Sequence, residues 1–377
     1  MLYKTLALID WHAASIALIA FVVSAMIVVL GRYIPLLSGG QSSLSAVQAM
    51  HIKLTPRLGG LAIFAALLAG LPFTPPTITD RYTLFIMSAS FLFAVGLAED
   101  LGLGVSPRKR LIAAAISSVL VMSLLDVWLP RADVPLLDDW MAHWAVAVTL
   151  TLLVTVGVAN GFNLIDGVNG LAALTAIVAA VALALIADAA GYTVMVHLSM
   201  MLAAAVLGFM VLNYPFGFIF LGDAGAYMLG FVLSWFAIAV LNNAPEASTW
   251  AMLLVVFWPV ADTALAIWRR SQSRRPAMAP DRLHFHQLVM RALEIHFLGR
   301  GHRQIANPLT TLILSPLVVA PPMVGVLFWD QPRMAFISVL FFAVLFGVTY
   351  NVAKPALKLL SRSFRAAKST KESGGRR

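Results

Sequence analysis

Apolar runs dominate this chain, and polar residues collect in the short stretches between them. Runs of roughly twenty residues, the length needed to cross a bilayer as a helix, fall near 13–35, 58–79, 81–98, 111–129, 141–159, 170–187, 193–213, 224–242, 249–268, 308–328 and 334–352. The pattern predicts an all-α polytopic membrane protein with about eleven transmembrane helices. The second run is the weakest, because Pro72, Pro75 and Pro76 interrupt its end. The first run is too long for the core of a cleaved leader and has no basic stretch ahead of it, so it reads as a span.

Composition agrees with that pattern. Of 377 residues, 60% are hydrophobic and only 11% charged, which is far from a soluble globular domain. There is no cysteine, so disulfides and thiolate metal sites are excluded. A formal charge of +9 could point to nucleic acid. The cations instead follow membrane topology. Arg32, Lys53, Arg57, Arg108, Lys109 and Arg110, eight arginines from Arg269 to Arg303, and eight basic residues from Lys354 to Arg377 sort to one face. Only Lys4, Arg81, Arg131 and Arg333 fall on the other. By the positive-inside rule the N-terminus is periplasmic and the C-terminus cytoplasmic. This gives one transmembrane catalytic domain over 1–352, with cytoplasmic loops 36–57, 99–110, 160–169, 214–223 and 269–307. A basic tail, 353–377, follows and is suited to anionic lipid.

The acidic residues divide the same way. Asp10, Asp80, Asp133, Asp138, Asp139, Glu246 and Asp330 lie in short external segments, with Asp126 and Asp188 nearby, and read most simply as solvated loop charges. Glu99, Asp100, Asp166 and Asp223 sit at cytoplasmic span ends and Asp262 inside a span, where an unpartnered carboxylate is expensive.

Five polar stretches carry candidate chemistry. Asn160-Gly-Phe-Asn-Leu-Ile-Asp-Gly-Val-Asn-Gly170 packs amides and glycines around Asp166, more than a turn needs, and its glycines would let backbone approach a ligand. His51-Ile-Lys-Leu-Thr-Pro-Arg-Leu-Gly-Gly60 places three phosphate-facing groups ahead of a helix; positive-inside bias is the plain alternative. Glu99-Asp100 followed by Ser106-Pro-Arg-Lys-Arg110 suits a metal-and-phosphate site or a charge-balanced loop. Asp223, bracketed by Gly222 and Gly225, is the first choice for a hard-cation ligand. In Pro280-Asp-Arg-Leu-His-Phe-His286 the histidines are two apart, where a helical zinc pair would be four apart. Phosphate or sugar recognition by Arg282, His284 and His286 is therefore favoured over zinc. Asp262 is either functional or a packing charge paired with Arg269 or Arg270. His12, His143 and His197 read as packing residues.

Together these stretches resemble the polyprenyl-phosphate N-acetylhexosamine-1-phosphate transferase family (glycosyltransferase family 4), whose bacterial members start O-antigen, teichoic acid and peptidoglycan assembly. The resemblance runs from His51 to His286 with every motif in order. It implies transfer of a hexosamine-1-phosphate from a UDP-sugar, most simply UDP-GlcNAc, to undecaprenyl phosphate in the bacterial inner membrane, with release of UMP. It implies magnesium (or manganese) on Asp223, and Glu99 with Asp100 as the acidic pair beside the lipid phosphate, Asp100 orienting or deprotonating it. Asp166, Asn160, Asn163 and Asn169 would line the nucleotide-sugar pocket, and His51, Lys53, Arg57, Arg110, Arg282, His284 and His286 would contact the anionic substrates. A homodimer is compatible with this reading and nucleic acid is not part of it. Glu99, Asn169, Ala226, Gln287 and Leu54 depart from the family's commoner Asp, Asp, Ser, His and Pro. The departures leave room for a modified UDP-hexosamine. The rival class is a secondary transporter, which places charges near mid-membrane in repeated halves; here the polar motifs gather at one face.

Overall fold

The computed structural model describes residues 11–34, 55–272 and 283–352. His51, Lys53, Leu54, Arg282, most of loop 36–57 and the tail 353–377 lie outside them. Among the described residues all regular structure is helical. We number the helices α1 (Trp11–Leu30), α2 (Gly59–Ala69), α3 (Thr79–Asp100), α4 (Pro107–Leu125), α5 (Pro135–Met141), α6 (Trp144–Ile165) and α7 (Leu171–Ala189). They continue with α8 (Thr193–Asn213), α9 (Gly222–Asn243), α10 (Thr249–Val255), α11 (Phe257–Gln272), α12 (Phe285–Leu293), α13 (Arg303–Leu327) and α14 (Pro332–Val352).

Eight of these, α1, α3, α6, α7, α8, α9, α13 and α14, are long and apolar enough to cross a membrane. At 1.5 Å per residue, the 22 residues of α9 reach about 33 Å, a full hydrocarbon thickness. Three expected spans differ. The run 58–79 holds only α2 and a short 3-10 turn at Leu71–Phe73, because Pro72 lies where the helix would continue. The run 111–129 forms α4, whose first turn is taken by Arg108, Lys109 and Arg110 and leaves a shorter apolar stretch. The run 249–268 is not one rod: α10 and α11 meet at 84°. Pro259 has no N–H to offer the Val255 carbonyl, which removes a ladder bond at the bend and favours the break there. The loops also shrink. The expected loop 160–169 is helical as far as Ile165, and 269–307 contains α12.

α9 is the central post: 94% of its apolar window is buried, against α2, α3, α6 and α7. Glycine makes these crossings tight. A Cβ on Gly60 would sit 2.3 Å from the Gly225 nitrogen, one on Gly96 2.6 Å from the Ala224 Cα, and one on Gly230 2.6 Å from the Ala159 Cα. Small residues let helix backbones approach in a bilayer, where the solvent supplies no hydrophobic drive. The Gly59 and Gly60 N–H groups donate to the Phe220 and Leu221 carbonyls at 2.8 Å, which ties the start of α2 to the segment leading into α9. The glycines read from sequence as room for a ligand are therefore largely filled by protein. The space at Gly161 is taken by Pro259 and Thr263, at Gly167 by His286, at Gly170 by Tyr214 and at Gly222 by Arg57 and Asp100.

The far end of α9 is closed by Arg131, which donates to the carbonyls of Leu241 (3.1 Å), Ala244 and Ala247 and pairs with Asp133 at 3.3 Å. Asp133 in turn accepts the Thr249 N–H at 2.6 Å and the Ser248 hydroxyl. Asp138 accepts the N–H groups of Ala132 and Val134. The reading of Asp133 and Asp138 as solvated loop charges is thus refined: both are half-buried and accept backbone N–H groups.

Gly60→Ala should lower the thermal midpoint of the detergent-solubilised protein by an overpacking cost of about 1–3 kcal/mol or more. Gly157→Ala, with open space at its Cβ position, should be neutral or stabilising by up to ~1 kcal/mol. Equal midpoints for the two variants would contradict the tight α2–α9 crossing.

Candidate functional site

Three polar stretches far apart in sequence meet at the N-terminus of α9. The first N–H groups of a helix have no partner within it and carry partial positive charge. Asp100, at the end of α3 and buried, accepts the N–H groups of Asp223 (2.8 Å) and Ala224 (2.9 Å), one on each carboxylate oxygen. Asp166, just past the end of α6, faces the N–H of Gly222. Gly222 turns the chain into the helix with φ +78°, and a side chain there would strike the Arg57 carbonyl and the Asp100 carboxylate.

Asp223 follows in the first turn, its carboxylate buried and surrounded by cationic and amide donors. Asn163 Nδ2 donates to its Oδ1 at 2.9 Å, Arg57 approaches the same oxygen at 3.4 Å, and Arg110 pairs with Oδ2. Arg110 also lies over the ring of Tyr227, 5.7 Å from its centroid. The Tyr227 hydroxyl donates to Asn160 Oδ1 at 3.2 Å. Asn160 therefore belongs to a layer beneath the carboxylates. Burial pushes the Asp166 carboxyl up to about 7, against the pull of Arg57 and the Gly222 N–H.

Asn169 sits at a joint. Its backbone N–H donates to Asn307 and its side-chain amide to the Pro215 carbonyl, while its own carbonyl accepts from Thr311. Beside it, the Gly170 N–H donates to Asn213. Asn169 Oδ1 is buried without a hydrogen-bond partner. Glu99 turns away from this cluster and accepts the Val105 N–H at 2.5 Å, closing the turn before α4.

The histidines approach from the other side. His284 Nδ1 meets Asp262 Oδ2 at 2.6 Å, and the rings of His284 and His286 stack at 5.9 Å. His286 fills the space beside Gly167, the residue after Asp166. Burial lowers His286 to about 4, so its imidazole is neutral near pH 7. The partner of Asp262 is His284, not Arg269 or Arg270. Arg269 bonds the Leu283 carbonyl and the Tyr350 hydroxyl.

The structure thus brings Asp100, Asp166, Asp223, Asn163, Arg57 and Arg110 together, with Asn160 one layer below and His284 and His286 alongside. Glu99 faces its own turn, Asn169 joins loops, and His51, Lys53 and Arg282 lie outside the described residues. Sequence reasoning missed Tyr227. It stands four residues after Asp223, one turn along the same face, which is a signal the helix periodicity offered.

Oxygen donors at Asp223 and Asp166, with the Asn163 amide, suit a hard divalent cation. No cluster of three or more His, Cys, Asp or Glu residues arranged to hold a metal occurs among the described residues.

Fold and site define a polytopic helical membrane protein with an acidic, arginine-faced centre at one helix N-terminus. A family model for glycosyl transferase family 4 matches residues 82–241, a segment that contains Glu99, Asp100, Arg110, the Asn160–Gly170 stretch and Asp223. The chain is 28% identical over 317 residues to a probable undecaprenyl-phosphate N-acetylglucosaminyl 1-phosphate transferase of Bacillus subtilis, covering 83% of this chain and 86% of that protein. A decaprenyl-phosphate N-acetylglucosaminephosphotransferase of Mycobacterium tuberculosis is 28% identical over 287 residues, 68% of this chain and 69% of the relative. An undecaprenyl-phosphate alpha-N-acetylglucosaminyl 1-phosphate transferase of Yersinia pestis is 24% identical over 332 residues, 86% and 88% of the two chains. Over residues 82–241 the chain is thus similar to glycosyl transferase family 4.

Asp100→Ala strips two charge-assisted bonds from the start of α9 and should cost about 1.5–3 kcal/mol or more in stability, read as a fall in thermal midpoint. Glu99→Ala, which releases only a surface turn, should cost less than half as much. The reverse order would refute the capping assignment.

Proposed function

We propose that this protein transfers GlcNAc-1-phosphate from UDP-GlcNAc to a polyprenyl phosphate, undecaprenyl phosphate in the simplest case, and releases UMP. The observation that carries the reading is the convergence of Asp100, Asp166 and Asp223 with Arg57 and Arg110 on one helix N-terminus. The likeness to curated polyprenyl-phosphate N-acetylglucosamine-1-phosphate transferases supports this reading over a transporter. An oxygen of the lipid phosphate attacks the phosphorus that bears the sugar, and the bond from that phosphorus to the UMP oxygen breaks. With a dianionic acceptor, charges and protons balance without a base.

The task for the protein is to bring two anions together and neutralise charge as it develops. Arg57, more exposed than Arg110, is placed to accept a substrate phosphate when it leaves Asp223. Arg110 is held by Tyr227 for the same purpose. Asp166, facing the Gly222 N–H beside Asp223, lines the same pocket. Asp100, with both oxygens committed to α9, serves as the frame. A magnesium ion held by Asp223, with Asp166 and Asn163 beside it, would supply Lewis-acid neutralisation of the diphosphate. Asn160 through Tyr227, and His284 and His286, complete the nucleotide-sugar side.

The site end of the bundle is assigned to the cytoplasmic face of the plasma membrane, with the N-terminus outside and eleven crossings in all. What supports this is that Arg57, Arg110, Arg269 and Arg270 lie at the site end and Arg131 at the opposite end of α9. The chain has no cysteine of its own, which makes the topology directly testable. A cysteine at Leu103 (73% exposed) should react with an impermeant maleimide only after the cells are opened, and one at Leu136 (66% exposed) in intact cells. The opposite pattern would invert the orientation.

Purified protein given UDP-GlcNAc, undecaprenyl phosphate and magnesium should form a labelled lipid-linked sugar and stoichiometric UMP. Chelation with EDTA should abolish turnover and added magnesium or manganese restore it. Asp223→Ala should fall at least ~10²-fold while keeping its place in the membrane, as removal of a transition-state electrostatic group does. No product from any of a panel of UDP-N-acetylhexosamines would overturn the reading, whereas product only from a modified sugar would redirect the donor assignment.

A further inference from the structure

Asp262 is 1% exposed and lies in α11 within a largely apolar stretch. A carboxylate so placed is costly unless both oxygens are satisfied. They are: Oδ2 meets His284 Nδ1 at 2.6 Å, and Oδ1 accepts the Phe285 N–H at 3.1 Å. His284 is the N-cap residue of α12, yet its own side chain does not cap that helix. The cap comes from Asp262, 22 residues earlier. One side chain thus fixes both the start of α12 and the orientation of the imidazole at that start.

The same face of α11 also sets the position of the Asn-rich segment. Pro259, Asp262 and Thr263 fall on one side of the helix by their spacing of three and four. The Pro259 carbonyl and the Thr263 hydroxyl occupy the space beside Gly161, between Asn160 and Asn163. α11 therefore touches α6 with two residues and holds the histidine segment with the third. The His284 ring then stacks nearly parallel on His286, at 13°, and His286 fills the space at Gly167 next to Asp166.

We infer that Asp262 is a positioning residue: by gripping His284 and the start of α12 from the face that also seats α6, it fixes the height and tautomer of His284 against the Asn163–Asp166 segment on the nucleotide-sugar side of the site. With Nδ1–H directed at Asp262, His284 Nε2 is the nitrogen left for a ligand; a hydrogen bond at one ring nitrogen sets the role of the other. The inference rests on the transferase reading above and adds to it the residue that orients its histidine.

Asp262→Asn tests it. The amide keeps the volume and an acceptor for the Phe285 N–H, but offers a donor to Nδ1 and so reverses the tautomer. The expected result is a thermal midpoint close to the parent's and a KM for UDP-GlcNAc that rises as kcat/KM falls roughly 10–100-fold. The KM for polyprenyl phosphate should be unchanged, and Asp262→Asn combined with His284→Ala should be no worse than His284→Ala alone. Parent-like kinetics in Asp262→Asn, or additive losses in the double variant, overturn the inference. If Asp262→Asn does not accumulate, His284→Asn decides. It retains a donor for Asp262 but deletes Nε2, so it should fold and lose activity; full activity would overturn the assignment. A parent protein without transfer activity in the same assay sinks the transferase reading itself and the inference with it, a result distinct from an active parent with indifferent variants.

Discussion

A helix that begins inside a protein exposes backbone N–H groups that something must accept. In α9 that requirement organises the molecule's polar chemistry. Asp100 takes two of these donors and Asp166 faces a third. Asp223, in the first turn, does not cap its own helix and projects its carboxylate toward Asn163, Arg57 and Arg110. The positive end of the helix dipole is what allows three acidic side chains to share so small a volume. The arginines then answer the charge that remains.

The opposite end completes the same logic. Arg131 covers the carbonyls that end α9 and draws Asp133 after it. A post buried along its length and satisfied at both ends can hold a carboxylate at a fixed depth. Glycine-lined crossings with α2 and α3 fix the distances sideways: Gly60 against Gly225 and Gly96 against Ala224 leave no room for adjustment. Arg57, three residues before Gly60, lies in the same joint: the Phe220 N–H donates to the Pro56 carbonyl beside it.

Much of this was legible in the sequence, and what was not follows a physical rule. The apolar runs announced the helices, and the clustering of Asp100, Asp166, Asp223, Asn163, Arg57 and Arg110 could be anticipated because buried carboxylates at span ends need partners on the same face. Pro72 flagged the short α2. Pro259 carried the break between α10 and α11 but was hidden inside an apolar run. Partner identity was harder to read: nothing local links Asp262 to His284, Asp133 to Thr249, or Asn169 to Asn307, since these bonds depend on which helices become neighbours. The glycines were the clearest misreading. Sequence shows that a backbone can be approached there, but not whether the visitor is a ligand or another helix.

The charge ledger at the centre bears on why the proposed reaction carries a divalent cation. Two arginines touch Asp223, while three carboxylates crowd the start of α9. The helix terminus adds roughly half a positive charge. The protein is then close to neutral without its substrates. A nucleotide diphosphate and a lipid phosphate would each bring roughly two negative charges, and at about 4 Å each unit pair of like charges costs roughly 4 kcal/mol near a protein surface. The arginines cannot serve Asp223 and both substrates in full at once. A cation of higher charge, seated on Asp223, would free Arg57 and Arg110 to turn toward phosphate, and the same electrostatics that gathers the carboxylates would then hold the reactants.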